Sequence, residues 1–209
     1  KFLVTGGTGF LGASLVKKLL REGHAVRILD NDSRGRRNRF AEEESQIEFI
    51  VGDIRDPEVV EQSAKGCHSV VHMAFINGTE FFYSKPKLVL EVGVKGMINV
   101  LDACKKNNIK DLVLISSSEV YQEAPIIPTP ENVPLVIPDV HNPRYSYGGG
   151  KIISELLSLN YGRTDLERVL IIRPHNVFGP DMGWEHVVPQ FILRAHDSIK
   201  KQPKGPINF

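Results

Sequence analysis

Tyr147 and Lys151 stand four residues apart, so any helix that carries them sets a phenol and an amine one turn apart on a single face. A cation beside a phenol favours the phenolate, and the spacing predicts a tyrosine pKa drawn down toward the working range of a general base. Ser116-Ser117-Ser118-Glu119 follows the aliphatic run that ends at Ile115. A hydroxyl there can hold an alcohol while a neighbouring base takes its proton. Alone, each piece also reads as something ordinary, a surface helix pair and a turn. A glycine turn at the far end of the chain gives them a common purpose.

Gly6-Gly7-Thr8-Gly9-Phe10-Leu11-Gly12 comes directly after the run Phe2-Leu3-Val4-Thr5 and opens a helical pattern at Phe10 and Leu11. Gly6, Gly9 and Gly12 let backbone N–H groups approach a pyrophosphate, and the helix N-terminus adds a partial positive charge that favours the anion. A second strand-like run ends in Asp30, where a carboxylate accepts hydrogen bonds from both hydroxyls of an adenosine ribose. Together these predict a dinucleotide site. Asp30 selects NAD, because a 2′-phosphate would meet a like charge. Arg34, Arg36, Arg37 and Arg39 read as a solvated loop, with grip on an extra phosphate or on substrate as the alternatives. In Gly52-Asp53-Ile54-Arg55-Asp56, Asp53 is a candidate for the adenine amino group or for a helix N-cap before Pro57.

The elements that must position these groups follow from periodicity. Short aliphatic or β-branched runs, Phe2 to Thr5, Ala25 to Asp30, Ile47 to Val51, Ser69 to Met73, Asp111 to Ser116 and Arg168 to Arg173, read as six strands. Helical patterns cover Phe10 to Glu22, Pro57 to Lys65, Lys87 to Asn107 and Gly148 to Tyr161. The alternation predicts an α/β protein with a parallel sheet and helices on both faces. The apolar residues between Leu88 and Leu101 are too many for one stripe, so that helix is expected to be covered on two sides. Proline-rich Ser117 to Asn142 and everything after Pro174 read as irregular, which divides the chain into 1–174 and 175–209.

A chain of 209 residues with net charge +1 has no global field toward nucleic acid or an anionic membrane, and its apolar runs fall far short of the ~20 residues that span a bilayer. Cys67 and Cys104 are isolated, which fits a reducing, cytoplasmic setting. The seven histidines have no metal-ligand spacing, so no metal is expected. The chain starts without Met inside its first strand and ends on Lys200-Lys201-Gln202-Pro203, which reads as a loop; a fragment of a longer protein is expected.

Gly6 to Gly12, Asp30-Asn31-Asp32-Ser33-Arg34-Gly35, Gly52 to Asp56, His72-Met73-Ala74, Ser116 to Tyr121, Tyr147-x-x-x-Lys151 and Arg173 to Pro180 occur here in order. With these motifs the chain resembles the extended short-chain dehydrogenase/reductase superfamily and, within it, the NAD-dependent nucleotide-sugar epimerase/dehydratase family. The resemblance implies a Rossmann-type doubly wound sheet with only the start of a small C-terminal substrate domain, and a homodimer formed through the helices at Lys87 to Asn107 and Gly148 to Tyr161. It implies Tyr147 as base, Lys151 as its electrostatic and ribose-binding partner, and Ser117 as the third catalytic group. Asn31 joins Asp30, and Asp53 and Ile54, on the nucleoside. Met73 and Ala74 pass alongside NAD, and His175 lies near the nicotinamide. Asn176 holds the diphosphate of a nucleotide-sugar substrate, and Val188 belongs to the substrate segment Trp184 to Pro189. Gly93 stands where the family has asparagine, Met97 where it has threonine, Gly150 where it has serine and Gln122 where it has glycine. Three glycines, 148 to 150, weaken the first turn of the helix that carries Tyr147 and Lys151.

The implied reactions share oxidation of the sugar at C4 by bound NAD. A 4-epimerase returns the same hydride to the other face of the transient 4-keto sugar. A dehydratase or decarboxylase uses the ketone to lose water or CO2, with Glu119 as the added acid–base group, and Ser-Glu-Val-Tyr resembles the loop of those enzymes. Ser118 stands where the deoxythymidine-linked dehydratases carry Asp, and the Asp30 to Gly35 loop is similar to that of UDP-glucose 4-epimerases, which favours epimerase. An NAD-binding regulator or scaffold that lost the chemistry is the non-enzyme alternative.

Overall fold

A computed structural model describes residues 1–184 and 186–201. Six strands, β1 (Phe2–Thr5), β2 (Val26–Asp30), β3 (Ile47–Val51), β4 (Ser69–His72), β5 (Asp111–Ile115) and β6 (Arg168–Ile172), form one parallel sheet in the order β3-β2-β1-β4-β5-β6. All six lie where the periodicity predicts, some one residue shorter. Winding runs outward from β1 through β2 to β3 and then restarts at β4 in the other direction. The carboxyl ends of β1 and β4 therefore flank the switch point where such sheets bind ligands.

Strand alternation builds a core on each face. Leu3, Leu29, Val70, Leu112 and Leu114 pack with residues of α2 (Pro57–Ala64) and α5 (Gly96–Lys106), among them Val60, Met97, Val100 and Leu101. Val4, Ile28 and Val71 pack on the opposite face with Ala13 and Val16 of α1 (Phe10–Arg21). Asp56, not Asp53, caps α2, accepting from the backbone N–H of Glu58 and Val59 with Pro57 in the first turn.

The expected single helix Lys87 to Asn107 is broken. A short α3 (Thr79–Ser84) precedes α4 (Pro86–Leu90), and a π-helical turn, Glu91–Lys95, joins α4 to α5. The middle residue of this turn, Gly93, abuts the ring of Phe75. Phe82, Val89 and Tyr147, with Phe75, Ile76 and Phe81, form a third, aromatic cluster.

The first compact unit is Lys1–His175; the second begins at Asn176. The second holds α7 (Val187–Lys201), an amphipathic helix in a stretch expected to be irregular, with Gln190, Arg194 and Asp197 recurring at helical spacing as its polar stripe. Lys200 and Lys201 end this helix and the rest of the expected terminal loop lies outside the described residues. Both cysteines are free and buried, and burial pushes the Cys104 thiol up to about 12. Among the described residues no helix is long and apolar enough to cross a membrane.

Candidate active site

The glycine turn is made by contacts of backbone on backbone. Gly6 has φ +72°, a conformation a side chain resists, and a Cβ there would stand 2.7 Å from the Ala74 nitrogen. A Cβ on Gly12 would stand 2.3 Å from the Gly6 carbonyl oxygen. Thr5 ties the two strand ends together: its hydroxyl accepts from the N–H of Met73 and of Ala74 and lies 2.7 Å from Nδ1 of buried His72. Met73 and Ala74 are thus held against the turn by their backbone.

The space ahead of α1 suits an anion. Gly9 sits at its N-cap with no side-chain cap, and no acid lies in the first turn formed by Phe10 and Leu11. A Cβ on Gly9 would meet only the Gly6 carbonyl oxygen within 4 Å. The first N–H groups of the helix are left for a pyrophosphate.

Asp30 ends β2, and its two carboxylate oxygens accept from the N–H of Thr8 and of Asp32, each at 3.0 Å. It therefore fastens the arginine-bearing loop to the glycine turn, and Arg39 adds a bond to the Thr8 carbonyl oxygen. Asn31 accepts from Ser33 N–H. Asp53 is gripped by Arg55 at both oxygens, which with an Asn31 contact holds its carboxyl below the usual range. Ile54 is core, its side chain filling the space over Gly96.

Tyr147 and Lys151 lie on α6 (Ser146–Gly162), and both are buried. The helix runs through Gly148, Gly149 and Gly150, all buried. Tyr147 stacks on Phe82 and meets the edge of Phe75, each with ring centroids 5.1 Å apart. Against burial, the Ser117 hydroxyl acts on the phenol and draws its pKa down. The expected effect of Lys151 on Tyr147 is not what the geometry gives. Burial pushes the phenol up to about 12, the Ser117 bond lowers it, and Glu119 raises it. Lys151 turns its Nζ to the Ile115 carbonyl oxygen at 2.7 Å and lies over the Phe75 ring, 4.1 Å from the centroid. Burial lowers its pKa to about 7, against the pull of Glu155. An amine so desolvated gives up much of the charge that would have drawn the phenol down.

Two partners carry no signal in the motifs. Arg144 donates to one oxygen of Glu119 and lies 3.0 Å from the other, stacking over Phe82. Glu155 accepts from Arg173 at 2.9 and 2.6 Å and from Ser116, and Arg173 donates to the Tyr121 hydroxyl. Tyr147, Lys151 and Glu155 recur every four residues, so a polar stripe on a helix that must bury a face was the available sign. Ser118 lies 2.7 Å from His175 Nδ1, fixing that imidazole beside the serine loop. Asn176, with φ +43°, and Val188, in α7, belong to the second unit.

The model of the NAD dependent epimerase/dehydratase family matches residues 2–207. The chain is 32% identical over 196 residues to a UDP-N-acetyl-alpha-D-glucosaminuronate decarboxylase of Bacillus cytotoxicus, covering 92% of this chain and 60% of that protein. It is 34% identical to a putative UDP-glucose 4-epimerase of Methanocaldococcus jannaschii, covering 85% and 56%. Among solved structures, a double mutant of the dTDP-glucose 4,6-dehydratase DesIV from Streptomyces venezuelae, with NAD bound, superposes with a TM-score of 0.83 at 28% identity, covering 94% of this chain and 62% of that one. The chain thus spans less than two thirds of the length of these relatives. The expected cofactor, NAD, agrees with the family's description and with that neighbour. With a matching model along nearly its whole length and the sheet order, glycine turn and Tyr–Lys helix in place, this chain belongs to the NAD-dependent epimerase/dehydratase family.

Proposed function

We propose that the protein is a nucleotide-sugar 4-epimerase that binds NAD and works through a transient 4-keto sugar. NAD, when bound, supplies the hydride acceptor at C4. Gly6, Gly9 and Gly12 with Phe10 and Leu11 would hold its pyrophosphate, Asp30 and Asn31 its adenosine ribose, and Asp53 and Ile54 the adenine edge. Met73, Ala74 and His175 would flank the nicotinamide. Tyr147 takes the C4 hydroxyl proton at its phenolic oxygen, and Ser117 holds that hydroxyl. Lys151, one turn along the same helix face, would bind the nicotinamide ribose and, when protonated, place a positive charge beside the Tyr147 ring.

The observation that carries the choice of epimerase is the Glu119–Arg144 pair. A dehydratase or decarboxylase needs a further acid–base group, whereas a 4-epimerase needs none, and here the candidate carboxylate is paired with Arg144, which donates to one oxygen and lies 3.0 Å from the other. Residues 1–174 would form the cofactor domain and 175–209 begin the substrate region, with Asn176 on the diphosphate and Val188 beside the sugar. Exposed Leu90, Leu156 and Leu159 are the apolar contacts of a proposed cytoplasmic homodimer.

The test is to incubate the protein and NAD with UDP-, GDP-, CDP- and dTDP-linked hexoses and hexuronic acids and follow products by mass spectrometry and NMR. Unchanged mass with an inverted C4 signal supports the reading; loss of water or CO2 overturns it in favour of chemistry at Glu119. Tyr147→Phe should lower turnover by about 10²–10⁴ while NAD binding persists. Unaltered turnover would make the protein a cofactor-binding scaffold.

A further inference from the structure

Three residues meet at one point although they come from three elements. Phe75 follows β4, Gly93 lies in the π-helical turn, and Gly150 lies in α6. A Cβ on Gly93 would stand 2.3 Å from Phe75 Cζ, and one on Gly150 would stand 3.1 Å from the same atom. Glycine at both positions leaves space for one ring. The ring turns its face to Lys151 Nζ at 4.1 Å and packs T-shaped against Tyr147.

We propose that Phe75 is the positioning residue of Lys151: seated in a slot that only glycine at 93 and 150 leaves free, its ring closes the amine's cage against water and replaces polar partners with an aromatic face. The proposal rests on Lys151 serving Tyr147 for its functional meaning, but not for its test.

The ring has two opposed effects. Its face attracts an ammonium, worth at most about thirtyfold in the protonation equilibrium. Its bulk keeps water from the amine, and burial disfavours the charged form, holding the amine down to about 7. By this proposal, exclusion of water at Phe75 outweighs the attraction of the ring face. The other charged or titratable groups facing Lys151 are His72 from β4, Tyr147 and Glu155 from α6, and Arg173 from the end of β6 through its bonds to Glu155. Of these only Glu155 favours the ammonium, and only Tyr147 is in ring contact with Phe75.

The experiment is an NMR titration of the Lys151 side chain in lysine-labelled protein, its resonance assigned with Lys151→Gln. Phe75→Ala admits water and should raise the Lys151 protonation constant at least about tenfold. Phe75→Leu keeps water out, loses the aromatic face and retains enough volume to fold, so the constant should stay level or fall. Opposite behaviour of the two variants supports the proposal. A constant unmoved by Phe75→Ala, or raised equally by both, overturns it. Because the readout is a protonation equilibrium and not turnover, a protein that proves to be a decarboxylase or a scaffold leaves this result standing.

Discussion

At the β1–α1 turn a methyl group added to Gly12 would stand 2.3 Å from the Gly6 carbonyl oxygen and 2.8 Å from Gly7 Cα, whereas one added to Gly149, in the first turn of α6, would meet only the Ile137 side chain, at 3.2 Å and beyond. The phosphate side of the site is backbone packed on backbone, with Gly6 against Ala74 and Thr5 strapping β1 to β4. The Tyr–Lys side is backbone packed mainly on side chains: Gln122 and the Glu119 carbonyl oxygen lie over Gly148, Ile137 over Gly149 and Phe75 over Gly150. Side chains can shift or be exchanged for others, and backbone cannot.

The sharpest way to break this comparison is Gly12→Ala. No rotamer relieves a contact with a carbonyl oxygen, so the turn must distort; stability should fall by about 4 kcal/mol or more in denaturant unfolding, and NAD affinity should collapse with it. A stable, NAD-binding Gly12→Ala protein would show the turn to be as adjustable as α6. Next in size is Glu155→Ala. It leaves the Arg173 guanidinium and the Ser116 hydroxyl without their carboxylate in a nearly closed site, and should cost about 3 kcal/mol. Arg168→Ala, which opens the exposed pair with Asp111, should change stability little. Equal losses from both would mean that the inner pair is not what anchors α6 to the ends of β5 and β6.

The fold was legible because a parallel sheet writes each strand as an aliphatic run and each turn as glycine or proline. The cofactor side was legible for a related reason: a backbone-built turn requires glycine at fixed spacing, and spacing survives in one dimension. The Tyr–Lys side was legible only in part. Tyr147, Lys151 and Ser117 sit on motifs, but Phe75, Arg144, Glu155 and Arg173 act through contacts between distant segments that no local period records. The same cause misled the expected pKa of Tyr147. Four-residue spacing places an amine near a phenol, yet the direction in which the amine points depends on Ile115 and Phe75, which spacing does not report.

Proton linkage separates the two sides by pH. Burial holds His72, beneath the glycine turn, down to about 3. The Thr5 hydroxyl accepts from Met73 and Ala74, so its proton goes to His72 Nδ1 and the ring must stay neutral to receive it. Because the folded value lies below the unfolded one, the unfolded chain binds the extra proton between pH 3 and 6.5. Stability is then complete above pH 6.5 and falls on acidification by roughly 1.4 kcal/mol per pH unit. Lys151 has the same sign in another window: the folded value near 7 lies below the usual 10.5, so stability rises from pH 7 upward until Tyr147, raised to about 12, reverses the slope above pH 10. In unfolding free energy against pH, His72→Gln should flatten the acidic window and leave the alkaline one, whereas Lys151→Met should flatten the alkaline window and only narrow the acidic one, because the Lys151 charge helps burial hold His72 down. A variant that flattens both would show the two sides titrating as one unit.

The smallest effect, and the closest test of the comparison, is Gly149→Ala. Alanine in a helix interior is favoured over glycine by roughly 0.5–1 kcal/mol, because less backbone entropy is lost on folding. Against this stands one contact with Ile137 Cδ1 at 3.2 Å, tighter than usual by a few tenths of an ångström, and Ile137 is itself partly exposed and free to give way. The two terms nearly cancel, and thermal unfolding should move by no more than a few degrees, upward if Ile137 yields fully. Gly150→Ala shares the helical gain but meets Phe75, whose ring has Gly93 behind it and Lys151 on its face, so no such retreat is available. The pair should therefore diverge, Gly149→Ala neutral to stabilising and Gly150→Ala destabilising by about 1–2 kcal/mol. If both are neutral, the aromatic slot is looser than the contacts at Gly93 imply; if both are costly, the glycines of α6 answer to the same rigid backbone demand as those of the turn.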